Sequence, residues 1–569
     1  AKGARLKGVR IEEGVCVEEV ALEGRRALGV ITNAGAIGCD ILINCAGLWA
    51  KRVGAMAGVP LAAGVVEHQY FLTEKKLDFD SSLTTLRDPD KNFYLKPDTG
   101  AFAIGGWEEG TRSCWDGMPP LDFGRELFPP NMERLELFAV PAAERLPVLN
   151  DIGIQTIING PIPVSADGEP IMGLAPELDN FYIACGFTAG IAASGGAGEA
   201  MANWIVYGEP GMDLWPFDVR RFGPLHAQPR YVETRAVESY GAYYKIHWPA
   251  EEHGTARGLR RSPLFDHLRR AGAVYGSKFG WERPNWFAPP GNTAEDHASF
   301  ESEPNWFDAV AGEHRAIRER VTLIDQSSFA KFEISGSGAL AAMNRIAAND
   351  LSGPPGKAVY TQLCNQKGGI EADVTIIHAT DELLYLITGA GFGIRDSAWV
   401  RRHLPNGGVA ITDVTARFAT INLCGPRARE VLQSLSGDDV SNEAFPFLAA
   451  RSIELGFATV MAVRIGYVGE LGYELYVPQE FAAHVYEALW HAGKVHGIAN
   501  AGYRAIDSCR MEKGYLYWSG DITPDYNPYE AGLGFAVALD KGDFIGRDAL
   551  QKISKGGVTR KLSSLTVDG

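Results

Sequence analysis

Residues 181–205 read FYIACGFTAGIAASGGAGEAMANWI, an apolar run of strand character that feeds a glycine-rich turn and then a helix of small residues. Gly186, Gly190, Gly195, Gly196 and Gly198 leave bare backbone at the opening of that helix, where N–H groups can face an anionic or electron-accepting ligand. Upstream, GCDILINCAGLWA (38–50) is a second apolar strand, and it ends in a small-residue turn, Asn44–Gly47, that leads into a helix. Such a turn lets backbone approach a dinucleotide closely. The same pattern also suits any buried strand of an α/β protein. Around these two segments, VEHQYFLT (66–73), NFYLKP (92–97) and AFAIGGWE (101–108) alternate as strands, and RLKGVRIEEGVCVEEVAL (5–22) does so from the start. Residues 1–205 therefore predict an α/β or α+β domain.

The chain has 569 residues, and at roughly 150 per domain that predicts two to four domains. With 46% hydrophobic and 22% charged residues it has material for several cores, which excludes a disordered chain. A net charge of −16 without a basic stripe argues against a nucleic-acid partner. The eight cysteines form no C-x-x-C pair and the twelve histidines no H-E-x-x-H, with only His491 and His496 close together on a helical face. Neither a disulfide framework nor a metal site is expected, and reduced thiols in an intracellular protein are. No apolar run is long enough to span a membrane.

Residues 206–307 are rich in Pro, Arg and Trp, carry PNWF twice (284–287 and 304–307), and predict an irregular connecting module. From 308 onward strands such as KFEISG (331–336), ADVTIIHA (372–379), FATINLCG (418–425) and YELYVP (473–478) alternate with amphipathic helices, a second α/β or α+β domain over 308–545. Gly336-Ser-Gly338-Ala-Leu-Ala341 follows a strand and precedes a helix, but a lone G-x-G-x-x-A is a weak nucleotide signal. In this half, CNQKGGIEADVTI (364–376) sets Gly368 and Gly369 before a strand that carries Asp373. RIGYVGELGYELYV (464–477) places Tyr467, Glu470 and Glu474 among glycines, and GYRAIDSCRMEKGY (502–515) presents Arg504 and Arg510.

The first half resembles the C-terminal part of the D-amino-acid-oxidase-like FAD-dependent oxidoreductases. The resemblance implies FAD held at Asn44, Ala46, Gly47, Gly186, Gly190 and Ile191. It also implies a substrate site lined by His68, Tyr70 and Tyr94, with Lys96 as the cation for a substrate carboxylate; the faces of Tyr70, Tyr94 and Trp107 suit an ammonium. The second half resembles the tetrahydrofolate-using aminomethyltransferases. There the resemblance implies Glu474 against the pterin edge, Tyr467 as an aromatic wall, Asp373 near folate N5 and Arg510 or Arg504 at the glutamate tail, Arg510 being equally suited to a structural ion pair. The family often has two adjacent aspartates in that turn; Ala372 stands in place of the first.

Both halves in one chain resemble the sarcosine and dimethylglycine dehydrogenases, with GWERPNWF (280–287), NEAFPF (442–447) and DITPDYNPYEAGLGF (521–535) closest to the sarcosine branch. The activity implied is FAD-dependent oxidative N-demethylation, with the one-carbon unit passed to tetrahydrofolate as 5,10-methylenetetrahydrofolate. An electron-transfer flavoprotein or oxygen would be the acceptor, in a bacterial cytoplasm or a mitochondrial matrix. A glycine-cleavage-type aminomethyltransferase and a non-catalytic regulatory relative are the alternatives. The family's opening G-x-G-x-x-G is expected ahead of residue 1, and GRDALQKI (546–553) is expected to begin a further barrel over 546–569.

Overall fold

The computed structural model describes residues 1–75, 83–98, 100–124 and 126–566. Its chain divides into two compact units, Ala1–Ala256 and Arg257–Gly569.

In the first unit, the alternation after residue 16 folds as an antiparallel meander of Val17–Glu23, Arg26–Thr32 and Gly35–Gly38. The expected strand over residues 5–13 does not form. A short helix, Lys2–Leu6, stands at the start and buries nothing, because its Lys and Arg side chains give it no apolar face to dock. Leu42–Asn44 lies parallel to Phe181–Cys185, which pairs antiparallel with Ile171–Leu174. A separate antiparallel sheet runs in the order Leu86–Asp88, Phe93–Asp98, Ala101–Gly106, Ala63–Thr73, Ile154–Ser165.

Period-2 alternation assigns the faces of this five-stranded sheet. Phe71, Phe93, Leu95, Phe102 and Ile104 turn to the helix Met132–Arg145, where they meet Leu135, Phe138 and Ala142. Phe138 is fully buried, which stabilises the layer by about 2–3 kcal/mol. Gln69 clamps the start of that helix: its Nε2 donates to Asn131 O (2.8 Å) and its Oε1 accepts from Asn131 N (3.2 Å). The opposite face carries His68, Tyr70, Tyr94 and Lys96, and the helix Pro229–Gly241 packs there through Ala236 and Tyr240.

The second unit is layered helix–sheet–sheet–helix. A six-stranded sheet has the order Ala450–Leu455, Ala458–Val463, Gly472–Pro478, Phe418–Cys424, Thr322–Asp325, Ala499–Asn500; a five-stranded sheet has the order Lys357–Cys364, Ile370–Thr380, Leu383–Thr388, Ala330–Ser335, Ala410–Asp413. The outer face of the first buries Leu323, Ile421, Leu423 and Leu475 against the helices Ala428–Leu435 and Ala482–Gly493. The outer face of the second buries Phe332, Ile334, Val374 and Leu386 against Ala339–Ile346 and Gly393–His403. Between the inner faces lies a smaller apolar cluster of Ile377, Ile387, Val463 and Tyr476.

Residues 206–307 do not form one body. Residues 206–256 belong to the first unit. Beyond them a hairpin, Ala273–Lys278 with Trp281–Phe287, buries Val274 and Trp286 against Val310, Ile317 and Ala505 in the second. The two PNWF copies differ in conformation, as 284–287 ends a strand while Phe307 opens the helix Phe307–Glu319. The strand before Gly336 is antiparallel to both neighbours, so the glycine-rich turn is no dinucleotide crossover. Gly336 is required because a Cβ there would strike Gly408 O. GRDALQKI is the helix Arg547–Gly556, which buries Leu550 beside Cys364 and Phe544. Residues 557–566 form no strand, and 567–569 of the expected terminal strand lie outside the described residues. Among the described residues no helix is long and apolar enough to cross a membrane, and all eight cysteines are free thiols.

Candidate functional site

The parallel pairing of Leu42–Asn44 with Phe181–Cys185 sets Asn44 opposite Ile183, so the turns 44–47 and 186–190 leave the carboxyl edge of adjacent strands. Ligands of open α/β sheets bind at that edge. Asn44 spends its side chain on the turn: Nδ2 donates to Ala50 O (2.8 Å) and Oδ1 accepts from Ala46 N (3.2 Å). Gly47 (φ 56) and Gly186 (φ 71) adopt left-handed conformations. Gly190 begins the helix Gly190–Tyr207, and Ile191 is 98% exposed. Two open backbone turns on one strand edge fit a flavin dinucleotide, and Asn44, Ala46, Gly47, Gly186, Gly190 and Ile191 are residues there that could hold it.

Thr188 on the second turn reaches Pro163 O, the cross-strand partner of Val65 being Pro163. His68 is three residues further along, about 10 Å at strand rise. There the sheet builds an aromatic enclosure. His68 stacks on Trp107 (4.8 Å between centroids) and meets Tyr94 and Tyr240, while Tyr243 and Tyr244 close on Trp107. Tyr94 OH lies 3.4 Å from His68 Nε2, and Tyr240 OH lies 2.9 Å from Nδ1. Gly105 makes room for the Tyr94 ring and Gly106 for Phe138, as a Cβ at either would collide. Burial, with the Arg134 charge adding to it, holds His68 down at about 4, so the ring is neutral near pH 7. Burial also pushes the Tyr94 and Tyr240 hydroxyls far up, which keeps both protonated. Trp107 Nε1 is buried without an acceptor.

Behind His68 stands a buried polar chain. Tyr240 OH donates to Glu108 Oε2 (3.1 Å), and Glu108 Oε1 pairs with Arg134. Arg134 also holds Glu67 Oε2 (2.9 Å) and Thr111 Oγ1 (3.2 Å). Burial is the larger effect and holds the Glu108 carboxyl above its ordinary value, while the Arg134 guanidinium and the hydrogen bonds from Arg134 and Tyr240 pull it back toward the ionised form. Two cations flank the enclosure. Lys96 is exposed, one alternate position beyond Tyr94 on the same face. Arg87 is the cross-strand partner of Tyr94 and lies over the Tyr244 ring at 3.9 Å. A cleft of about 850 Å³ opens beside the helix Pro229–Gly241, lined by Glu109, Glu233, Glu238 and Glu251 together with Lys245, His247 and His253.

In the second unit, Asp373 accepts from Gln362 Nε2 (2.9 Å), and Tyr360 also hydrogen-bonds its carboxylate. Burial pushes Asp373 up to about 6 against those two bonds. By alternation Asp373 shares a face with Ile377, and Glu474 shares one with Tyr476; Ile377 and Tyr476 pack together, so both carboxylates enter the space between the sheets. Glu474 accepts from Tyr476 OH (2.7 Å), and burial raises its carboxyl. Tyr467 is near Asp373, its OH donating to Leu516 O (2.5 Å). Gln362 Oε1, Asn422 Oδ1 and Thr420 Oγ1 are buried on the facing strands without a partner. Acceptors left open beside two carboxylates suit a ligand edge rich in N–H donors, as a pterin is.

Arg510 and Arg504 do not offer free guanidinium groups. Arg510 is held by Asp507 and Asp521 (2.6 Å each), and Arg504 pairs bidentately with Asp296. Sequence reading passed over Arg87, Glu108, Arg134 and Tyr240 in the first unit and Gln362, Asn422 and Lys331 in the second. The alternation that set His68 and Tyr94 on one face could have found Arg87 and Gln362. Nothing local marks Tyr240, which lies 172 residues from His68.

The FAD dependent oxidoreductase family model matches residues 1–204, that family's central-domain model matches 207–262, and the GCVT N-terminal domain model matches 264–541. The chain is 36% identical over 556 residues to 4-methylaminobutanoate oxidase (formaldehyde-forming) of Paenarthrobacter nicotinovorans, covering 97% of this chain and 67% of that protein. It is 34% identical to mitochondrial sarcosine dehydrogenase of Homo sapiens, covering all of this chain and 67% of that protein. It is 33% identical to the mitochondrial pyruvate dehydrogenase phosphatase regulatory subunit of Mus musculus, covering all of this chain and 66% of that protein. The chain thus spans about two thirds of the length of these relatives.

Proposed function

Because the chain belongs to the family of FAD-dependent oxidoreductases with an aminomethyltransferase-type second half, which includes sarcosine and dimethylglycine dehydrogenases, we propose that it oxidises an N-methylated amino acid and passes the one-carbon unit to tetrahydrofolate. FAD and tetrahydrofolate are the cofactors of that family. The observation that carries the oxidative reading is the aromatic enclosure of the neutral His68 imidazole by Trp107, Tyr94 and Tyr240.

FAD bound at the two turns would supply the hydride acceptor. The chain's residues do the rest. The aromatic faces attract the substrate ammonium, His68 and Tyr94 supply hydrogen-bonding groups for its N–H, and Lys96 or Arg87 takes the carboxylate. Tyr70, on the same face as His68, completes the wall. Once the ammonium has released a proton to solvent, loss of hydride from the N-methyl carbon of the free amine leaves an iminium cation. Water then adds to give formaldehyde and the demethylated amino acid, or tetrahydrofolate displaces the amine and becomes 5,10-methylenetetrahydrofolate. In the second unit Glu474 and the open acceptors hold the pterin, Tyr467 walls it, and the Asp373 anion offsets the positive charge of the one-carbon transfer. Electrons leave to an electron-transfer flavoprotein, and the compartment follows the source organism: cytoplasm for a bacterium, mitochondrial matrix for a eukaryote.

The test is dye reduction by flavin-loaded protein with sarcosine, dimethylglycine or 4-methylaminobutanoate, with formaldehyde measured with and without tetrahydrofolate. Sarcosine is expected to react fastest, and tetrahydrofolate to suppress free formaldehyde. Inactivity toward all three amines would overturn the substrate class and favour a regulatory role.

A further inference from the structure

Tyr240 has one hydroxyl proton and three neighbours within reach: Glu108 Oε2 at 3.1 Å, Gly106 O at 3.4 Å and His68 Nδ1 at 2.9 Å. Gly106 O can only accept, and so can Glu108 when it is ionised. Glu108 is 4% exposed and its other oxygen contacts the Arg134 guanidinium, itself 6% exposed, so the ionised form is the one the site compensates. A charge-assisted bond to the carboxylate outcompetes one to a neutral imidazole. With its proton given to Glu108, Tyr240 can only accept from His68, which places the ring proton on Nδ1. Nε2 is then a lone pair, directed toward Tyr94 OH.

We propose that Arg134, Glu108 and Tyr240 are positioning residues that fix the His68 ring as its Nδ1–H tautomer, so that Nε2 is an acceptor, turned to Tyr94 OH, on the wall of the amine site. The chain is built to be rigid. Gln69 clamps Asn131, Asn131 Oδ1 caps Arg134 N (3.1 Å), and Arg134 reaches back to Glu67, Thr111 and Glu108. The titratable and charged groups around His68 are Glu67 on its own strand, Tyr94, Glu108, Arg134, and Tyr240 and Tyr244 from the helix Pro229–Gly241 and its end. The inference rests on the reading that His68 lines the amine site.

Glu108→Gln separates charge from shape. A glutamine would keep its carbonyl on Arg134 and turn its NH2 to the Tyr240 oxygen, so Tyr240 would donate to His68 and the proton would move to Nε2. The readout is two-bond 1H–15N NMR of full-length protein labelled with ring-15N histidine, with His68 assigned from a His68→Gln spectrum. Wild type should show the Nδ1–H pattern at neutral pH, E108Q the Nε2–H pattern, and Tyr240→Phe a mixture. A merely structural role would leave the tautomer unmoved, so Nδ1–H retained in E108Q, or Nε2–H in wild type, overturns the inference. In the flavin-loaded protein, E108Q should lower kcat of amine-dependent dye reduction roughly 100-fold. A flipped tautomer with unchanged kcat would keep the positioning chain and remove His68 from the oxidation, which overturns the underlying reading instead.

Discussion

Gln362 and Asp373 are cross-strand partners, and Gln362 Nε2 donates to Asp373 Oδ1 at 2.9 Å while its own Oε1 has no partner. The amide thus holds the carboxylate on one side and leaves an acceptor beside it. Asp373→Ala should spare amine-dependent dye reduction and lower folate-coupled capture, read as free formaldehyde that tetrahydrofolate no longer suppresses. Equal loss of dye reduction in a well-folded variant would contradict separate roles for the two halves. Because burial raises Asp373 to about 6, its anion is present above that pH and lost below it. Capture should therefore fall as pH drops through about 6, and this inflection should be absent in D373A.

Arg87 and Lys96 are the two candidate cations for the substrate carboxylate of the proposed reaction. Arg87 is ordered by the Tyr244 ring at 3.9 Å and, among the described residues, hydrogen-bonds a backbone oxygen, Tyr243 O, at 3.4 Å, whereas Lys96 is exposed near its strand's end. Loss of a hydrogen bond to a charged group costs about 1.5–3 kcal/mol, or roughly tenfold to a hundredfold. Arg87→Ala should raise KM for the amino acid by about that factor, and Lys96→Ala by much less. Steady-state kinetics with the reverse ranking would return the role to Lys96.

Arg510 should behave as a structural residue. Its guanidinium joins Asp507, Asp521 and Tyr515 O in one cluster, with the two acids 61% and 33% exposed. Solvent screening at those acids keeps the expected loss for Arg510→Ala to roughly 1–3 kcal/mol in denaturant unfolding. Tetrahydrofolate affinity should change less than the Glu474→Gln variant changes it. A large loss of affinity at unaltered stability would restore the tail-binding role implied by family resemblance.

Lys331 is 1% exposed, and its Nζ donates to Ser327 O (3.0 Å) and Phe329 O (2.9 Å). Burial lowers it to about 7, against the pull of Asp325, Glu474 and Asp413 and with the push of Arg260. Between about 7 and the ordinary lysine value near 10.5, the unfolded chain binds a proton that the folded chain does not. Stability from this group therefore rises with pH across that window, by at most about 1.4 kcal/mol per pH unit, and is flat outside it. Lys331→Met should remove this part of the slope in urea unfolding measured from pH 6 to 10. An unchanged slope would mean that Lys331 stays charged in the fold.

Alternation and punctuation were enough to place most strands, because a period of two is a property of a few consecutive residues. They marked the turns at 44–47 and 186–190 and the strands that carry His68, Tyr70, Tyr94, Asp373 and Glu474, while the roles expected of those five residues came from family resemblance. They failed at residues 5–13, where charged side chains alternate without an apolar face to dock, and at 206–307, where each part follows a different core.

Partner choice is another matter, since it depends on which distant segments pack together. His68 meets Tyr240 across 172 residues because the helix Pro229–Gly241 lies on its sheet, and Arg134 meets Glu108 because Gln69 fixes the start of another helix. Charge state follows burial, which no local pattern carries: the same residue types in water would leave His68 near 6.5, Lys331 near 10.5 and Asp373 near 3.8, in place of about 4, 7 and 6. Residue identity and order thus established the two halves and the chemistry available to each. Long-range packing established which groups face one another, which guanidinium groups are already occupied, and which hydroxyls stand against the two nitrogens of His68.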